Sequence, residues 1–112
     1  MVNIMKIELI SEEEFNTIEK IYNDYPALTL NNKGYEHIDK SKFSEDEKCA
    51  FNMVAEILNH HIFGFHEFSN FRNCEGEIQI RFQYNYNYDN DHIPFTGVGY
   101  IFLSELKNGF KS

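Results

Sequence analysis

Between Glu77 and Tyr88 the chain reads EIQIRFQYNYNY, and apolar or aromatic positions alternate with polar ones without a slip. Ile78, Ile80, Phe82, Tyr84, Tyr86 and Tyr88 fall on one side. Glu77, Gln79, Arg81, Gln83, Asn85 and Asn87 fall on the other. Successive side chains of a strand point to opposite faces, so this pattern predicts a long strand with an aromatic face toward a core. Its second face, made of amides and one arginine, is expected outward, toward solvent or a hydrogen-bonding partner.

The segment Phe95–Leu103 (FTGVGYIFL) is apolar on both sides and is expected inside a sheet. Gly97 and Gly99 stand two apart on one side of it, which leaves room for a helix, a bulge or a neighbouring ring. The turn-rich loop Asp89-Asn90-Asp91-His92 joins these two segments into a hairpin. Val2–Ile10 alternates as a further short strand, and Phe65–Phe71 is extended up to the turn signal Asn73-Cys74-Glu75-Gly76.

Helical spacing appears twice. Ser11-Glu12-Glu13-Glu14 has the form of a capping box ahead of Phe15, Ile18, Ile21, Tyr22 and Tyr25, which predicts a helix over Glu12–Asn23 that Pro26 ends. Ser44-Glu45-Asp46-Glu47 repeats the box, and Ala50, Phe51, Met53, Val54, Ile57, Leu58 and His61 share one broad face before the stop at Gly64. Between the helices, Ala27–Lys42 is irregular around Asn31-Asn32-Lys33-Gly34. Strands grouped apart from helices, without βαβ alternation, predict one α+β domain spanning 1–112. It would have an antiparallel sheet of about four strands with two helices packed on one face.

A chain of 112 residues, 42% apolar and 16% aromatic, can bury roughly 65% of its unfolded surface and needs no disulfide or metal to fold. Its formal charge is −8, with ten acids and three bases between Glu45 and Glu105. Such a field repels phosphate backbones and anionic lipid, which disfavours direct nucleic-acid or membrane binding. A basic protein partner would instead be steered toward it. Cys49 and Cys74 are too few for a secreted disulfide scaffold and read as free thiols, Cys49 packing as a small hydrophobe in its helix. The start of the chain has no signal-peptide pattern and no run long enough to span a bilayer, so a soluble cytoplasmic protein is expected.

Catalytic and cofactor chemistry finds little support. Glu56 and His60 stand four apart on the second helix, but a zinc site needs three or four converging ligands and no H-E-x-x-H occurs. Asn87-x-Asp89-x-Asp91 starts like a calcium loop, yet His92 replaces the required glycine and Val98 the closing glutamate. Gly97-Val98-Gly99 opens no helix, and Asp46-Glu47-Lys48 is explained by helix capping. Metal and cofactor are therefore expected to be absent and the protein non-enzymatic. Were it an enzyme, His92, Asp91 and Arg81 at the mouth of the hairpin would be the best candidates. A small-ligand or regulatory domain with an aromatic-lined pocket between sheet and helices is the other alternative.

In size and in the order of its elements the chain resembles the small immunity proteins of bacterial contact-dependent inhibition and toxin–immunity systems. The likeness runs over the strand before Ser11, the two capped helices and the closing strands Ile78–Tyr88 and Phe95–Leu103. It implies a cognate toxin, often a nuclease, blocked by occlusion of its active or substrate-binding surface; no functional residue is carried over from it. Carboxylates would pair with the arginines and lysines that such a toxin uses to hold substrate. The candidate contact residues are Glu75, Glu77, Arg81, Tyr88, Asp89, Asp91 and His92.

Overall fold

The computed structural model of the chain describes residues 10–31, 37–86 and 95–108. Both capping boxes form as the sequence predicts. Ser11 accepts from the Glu14 amide while Glu14 accepts from the Ser11 amide, opening α1 (Glu12–Asp24). Ser44 and Glu47 do the same for α2 (Glu45–His61). Three acids in each first turn complement the helix dipole. After α1, Pro26–Leu28 tightens into a 3-10 turn, and Thr29 bridges in parallel to Phe71. A second 3-10 turn over Lys40–Lys42 leads into α2.

The sheet is antiparallel, ordered β1 (Phe65–Cys74), β2 (Glu77–Tyr86), β3 (Phe95–Phe102), with a short helix α3 (Leu103–Asn108) after it. The α+β class stands. The sheet, however, has three strands among the described residues rather than four. Of the expected strand Val2–Ile10 only Ile10 is described, as a non-strand residue whose amide donates to the Leu106 carbonyl at 3.2 Å. Among the described residues β3 stands at the end of the strand order and β2 is the central strand. The two faces of β3 differ: Gly97, Gly99 and buried Ile101 lie on the core side, while on the other side Val98 and Tyr100 are exposed and Phe102 is half-buried.

Register explains where the core sits. Phe68 and Phe71 are both fully buried although three apart, which strict alternation forbids. A register shift between Phe68 and Asn70 inserts an extra residue in β1 and returns Phe71 to the core side. On β2, Ile80 and Phe82 are buried with Ile78 and Tyr84 packed beside them, as the alternation predicts. α1 contributes Ile18 and Ile21, α2 contributes Ala50, Phe51, Val54 and Leu58, and α3 contributes Leu103 and Leu106. Rings fill the space between the layers: Phe51 to Phe68 at 4.8 Å, Phe68 to Phe71 at 5.1 Å, and Tyr22 edge-on to Phe71 at 5.5 Å. Met53 and Cys49, expected on the inner face of the second helix, are exposed instead. The buried arc of α2 centres on Ala50, Val54 and Leu58, and both residues lie outside it.

Candidate functional site

The outward face of the sheet is fixed by register. Cys74 pairs with Glu77; Arg72, Gln79 and Phe102 form the next row; Asn70, Arg81 and Tyr100 follow; Gln83 and Val98 come after them. Two large apolar side chains are left open here, Val98 at 45% and Tyr100 at 49% exposure. The Arg72 guanidinium stands 5.6 Å from the Tyr100 ring centroid, a cation–π distance.

Arg81 departs from the expected polar face, because it is only 7% exposed. It sits on the central strand, between Asn70 of β1 and Tyr100 of β3. Beside it Asn70 is 1% exposed, its amide donating to the Phe71 carbonyl at 2.9 Å and, more weakly, to Leu30 at 3.5 Å. Asn70 therefore ties β1 to the segment after α1.

One end of this face is acidic. The β1–β2 turn is a two-residue one in which Glu75 (φ 53°) and Gly76 (φ 87°) both adopt left-handed backbone, as a type I′ hairpin requires. That conformation is ordinary for Gly76 and unfavourable for Glu75. Glu75 and Glu77 are exposed, and Ser104 donates to Glu77 at 3.3 Å. Exposed Glu105 accepts from the Phe102 amide at 2.8 Å, adding a third carboxylate at this end of the sheet.

Of the candidate contact residues, Glu75, Glu77 and Arg81 are described: Glu75 and Glu77 lie at the β1–β2 turn, and Arg81 stands four residues beyond Glu77 on β2. Tyr88, Asp89, Asp91 and His92 lie outside the described residues, as do the two loop residues of the enzymatic alternative. Sequence reasoning missed Arg72, Val98, Tyr100 and Glu105. The signal for Val98 and Tyr100 was present in Gly97 and Gly99, which lie on the core side of β3 and so place the residue after each of them outward.

Elsewhere, an open groove of about 450 Å³ lies between α2 and β1, lined by Asn52, Ala55, Glu56, Asn59, Phe65 and His66. Among the described residues no three metal-ligating side chains converge, and Glu56 and His60 lie exposed on α2. Displaced titrations fall on structural groups. Glu14 is held below its ordinary value chiefly by the Ser11 amide and also by His61, and Asp39 by the Ser41 hydroxyl and amide. No helix among the described residues is long and apolar enough to cross a membrane. Comparison with protein-family models, with curated proteins and with solved structures finds no match.

Proposed function

We propose that the protein is a non-enzymatic inhibitor that binds a basic protein, acting as an immunity protein that shields its cell's cytoplasm from a cognate toxin such as a nuclease. The observation that carries this reading is the pairing of an acidic rim with a half-exposed aromatic side chain on one sheet face. Glu75, Glu77 and Glu105 supply the rim, while Tyr100, stacked under Arg72, and Val98 supply the centre. Interfaces of this kind take their stability from tyrosine and arginine anchors and their encounter rate from the surrounding charge. A net charge of −8 supports steering toward arginine- and lysine-rich surfaces. Glu75 adds to the argument because it occupies a turn position where asparagine or glycine would cost the backbone less.

Arg81, 7% exposed and paired in register with Tyr100, offers little surface for direct contact. The rings packed between sheet and helices weigh against an enclosed small-ligand pocket in the core, and the groove between α2 and β1 is open to solvent. The test is affinity capture from the native host at low and moderate salt, followed by growth rescue with the captured protein. One stoichiometric basic protein whose toxicity the chain relieves, and does not relieve as Tyr100→Ala, is the expected result. Rescue that survives both Tyr100→Ala and Glu75→Gln/Glu77→Gln would move the interface off this face.

A further inference from the structure

The groove between α2 and β1 has a lining suited to a particular chemistry. Glu56 offers a carboxylate that makes no ion pair among the described residues, and Asn52 and Asn59 offer amide oxygens from the same exposed helix face. Phe65, which stacks on Phe82 with ring centroids 6.1 Å apart, supplies an aromatic wall, and His66 completes the lining. No lysine or arginine is among these residues. An anionic ligand would meet Glu56 unopposed, and a wholly apolar one would strip water from amides it could not replace.

A guanidinium satisfies both demands. It presents five N–H donors in a plane, sheds water more readily than an ammonium, and stacks on rings. The fold already holds one cation by this combination: the Lys40 amine sits 2.8 Å from Glu67 and 4.9 Å from the Phe51 ring centroid, on the residue next to His66. We propose that the groove receives an arginine side chain from a basic polypeptide, gripped by Glu56 and the two asparagines and flanked by Phe65. This site lies apart from the acidic end of the outward sheet face and does not depend on it.

The experiment is titration of the whole ¹⁵N-labelled protein with N-acetyl-arginine amide, followed by amide chemical shifts. The control ligand is N-acetyl-citrulline amide, which keeps the shape and loses the charge. Saturable shifts at Asn52, Glu56, Asn59 and His66 at millimolar ligand are expected, weakened at least fivefold by Glu56→Gln and by citrulline, and unaltered by Glu45→Gln on the same helix. Glu56 is exposed, so its variant should retain the native spectrum, which the same measurement reads directly. Shifts that do not saturate, that spread over the acidic surface, or that citrulline reproduces would overturn the proposal. Either outcome leaves the toxin-rescue test untouched, because that test turns on Tyr100, Glu75 and Glu77.

Discussion

The Phe82 ring lies against Gly99 on the neighbouring strand so closely that a Cβ at 99 would stand 2.7 Å from Phe82 Cζ and 3.0 Å from Cε2. Phe82 is 1% exposed and has no room to retreat. The Gly99→Ala variant should therefore lose about 1–3 kcal/mol to overpacking, which outweighs the fraction of a kcal/mol gained by removing a strand glycine. At Gly97 the clash is with the end of the Tyr84 side chain, 2.7 Å from Cζ and 2.8 Å from the hydroxyl. Tyr84 is only partly buried, so its ring can swing aside. Urea midpoints should fall further for Gly99→Ala than for Gly97→Ala; the reverse order would mean that Phe82 can move and Tyr84 cannot.

Glu14 joins two helices. One of its oxygens accepts from the Ser11 amide at 2.9 Å, and its carboxylate meets His61 Nε2 at 3.1 Å, while side-chain exposures are 33% for Glu14 and 17% for His61. These contacts favour the ionised carboxylate, chiefly through the Ser11 amide, and hold its pKa below the ordinary 4.5. A group whose folded pKa is depressed stabilises fully above its unfolded value and loses that contribution as pH falls through the folded one. Stability should thus drop below about pH 4.5, with Asp39 adding a change of the same sign. Glu14→Gln should be less stable than the native chain at pH 6 and show a shallower acid limb. An acid limb of undiminished slope in Glu14→Gln would assign the loss to other carboxylates.

How much of this was legible in the sequence depends on whether the signal was local. Capping boxes need only four residues, and both were readable at Ser11 and Ser44. Unbroken alternation told which side of Ile80 and Phe82 faced inward. By contrast, the burial of Arg81 is not announced by an alternation that puts it on one face with half-buried Gln79 and Gln83 and exposed Asn85. The placement of Phe71 depends on a bulge that the segment FHEFSNF does not announce. α3 was missed because Leu103-Ser104-Glu105-Leu106 continues an apolar strand without a glycine or proline between them. The acidic rim was half visible: Glu75 and Glu77 could be named from the turn, but Glu105 reaches the same end only through the three-dimensional path of α3.

α3 is short, yet Leu106 is fully buried in the common core and its carbonyl accepts the Ile10 amide. Leu106→Ala should cost about 2–5 kcal/mol, as core truncations do. Thermal or urea unfolding measures this directly. A loss below about 1 kcal/mol would be that of a surface position and would detach α3 from the core.

Glu75 should be a stability liability. Its left-handed backbone costs about 1 kcal/mol relative to a residue that accepts it, so Glu75→Asn should raise the unfolding free energy by roughly that amount. If the inhibitor reading holds, the same substitution should slow association with the basic partner. A variant both more stable and equally fast to bind would remove Glu75 from the interface while leaving the turn argument intact.

Tyr100 and Ile101 are adjacent on β3 and face opposite ways, 49% and 6% exposed. Ile101 pairs with Ile80 in the core, so Ile101→Ala should cost about 2–5 kcal/mol. Tyr100 gives the fold its partial burial and its stacking with Arg72, worth about 0.5–1 kcal/mol at an exposed site. Replacing it with alanine should shift stability by little more than that, while loss of partner binding should be severe, since buried aromatic anchors at an interface carry 2 kcal/mol or more, about 30-fold in affinity. The ratio of the two effects is what identifies a residue held for binding. Equal losses in folding and binding would make Tyr100 an ordinary strand residue whose removal weakens the complex by weakening the sheet beneath it.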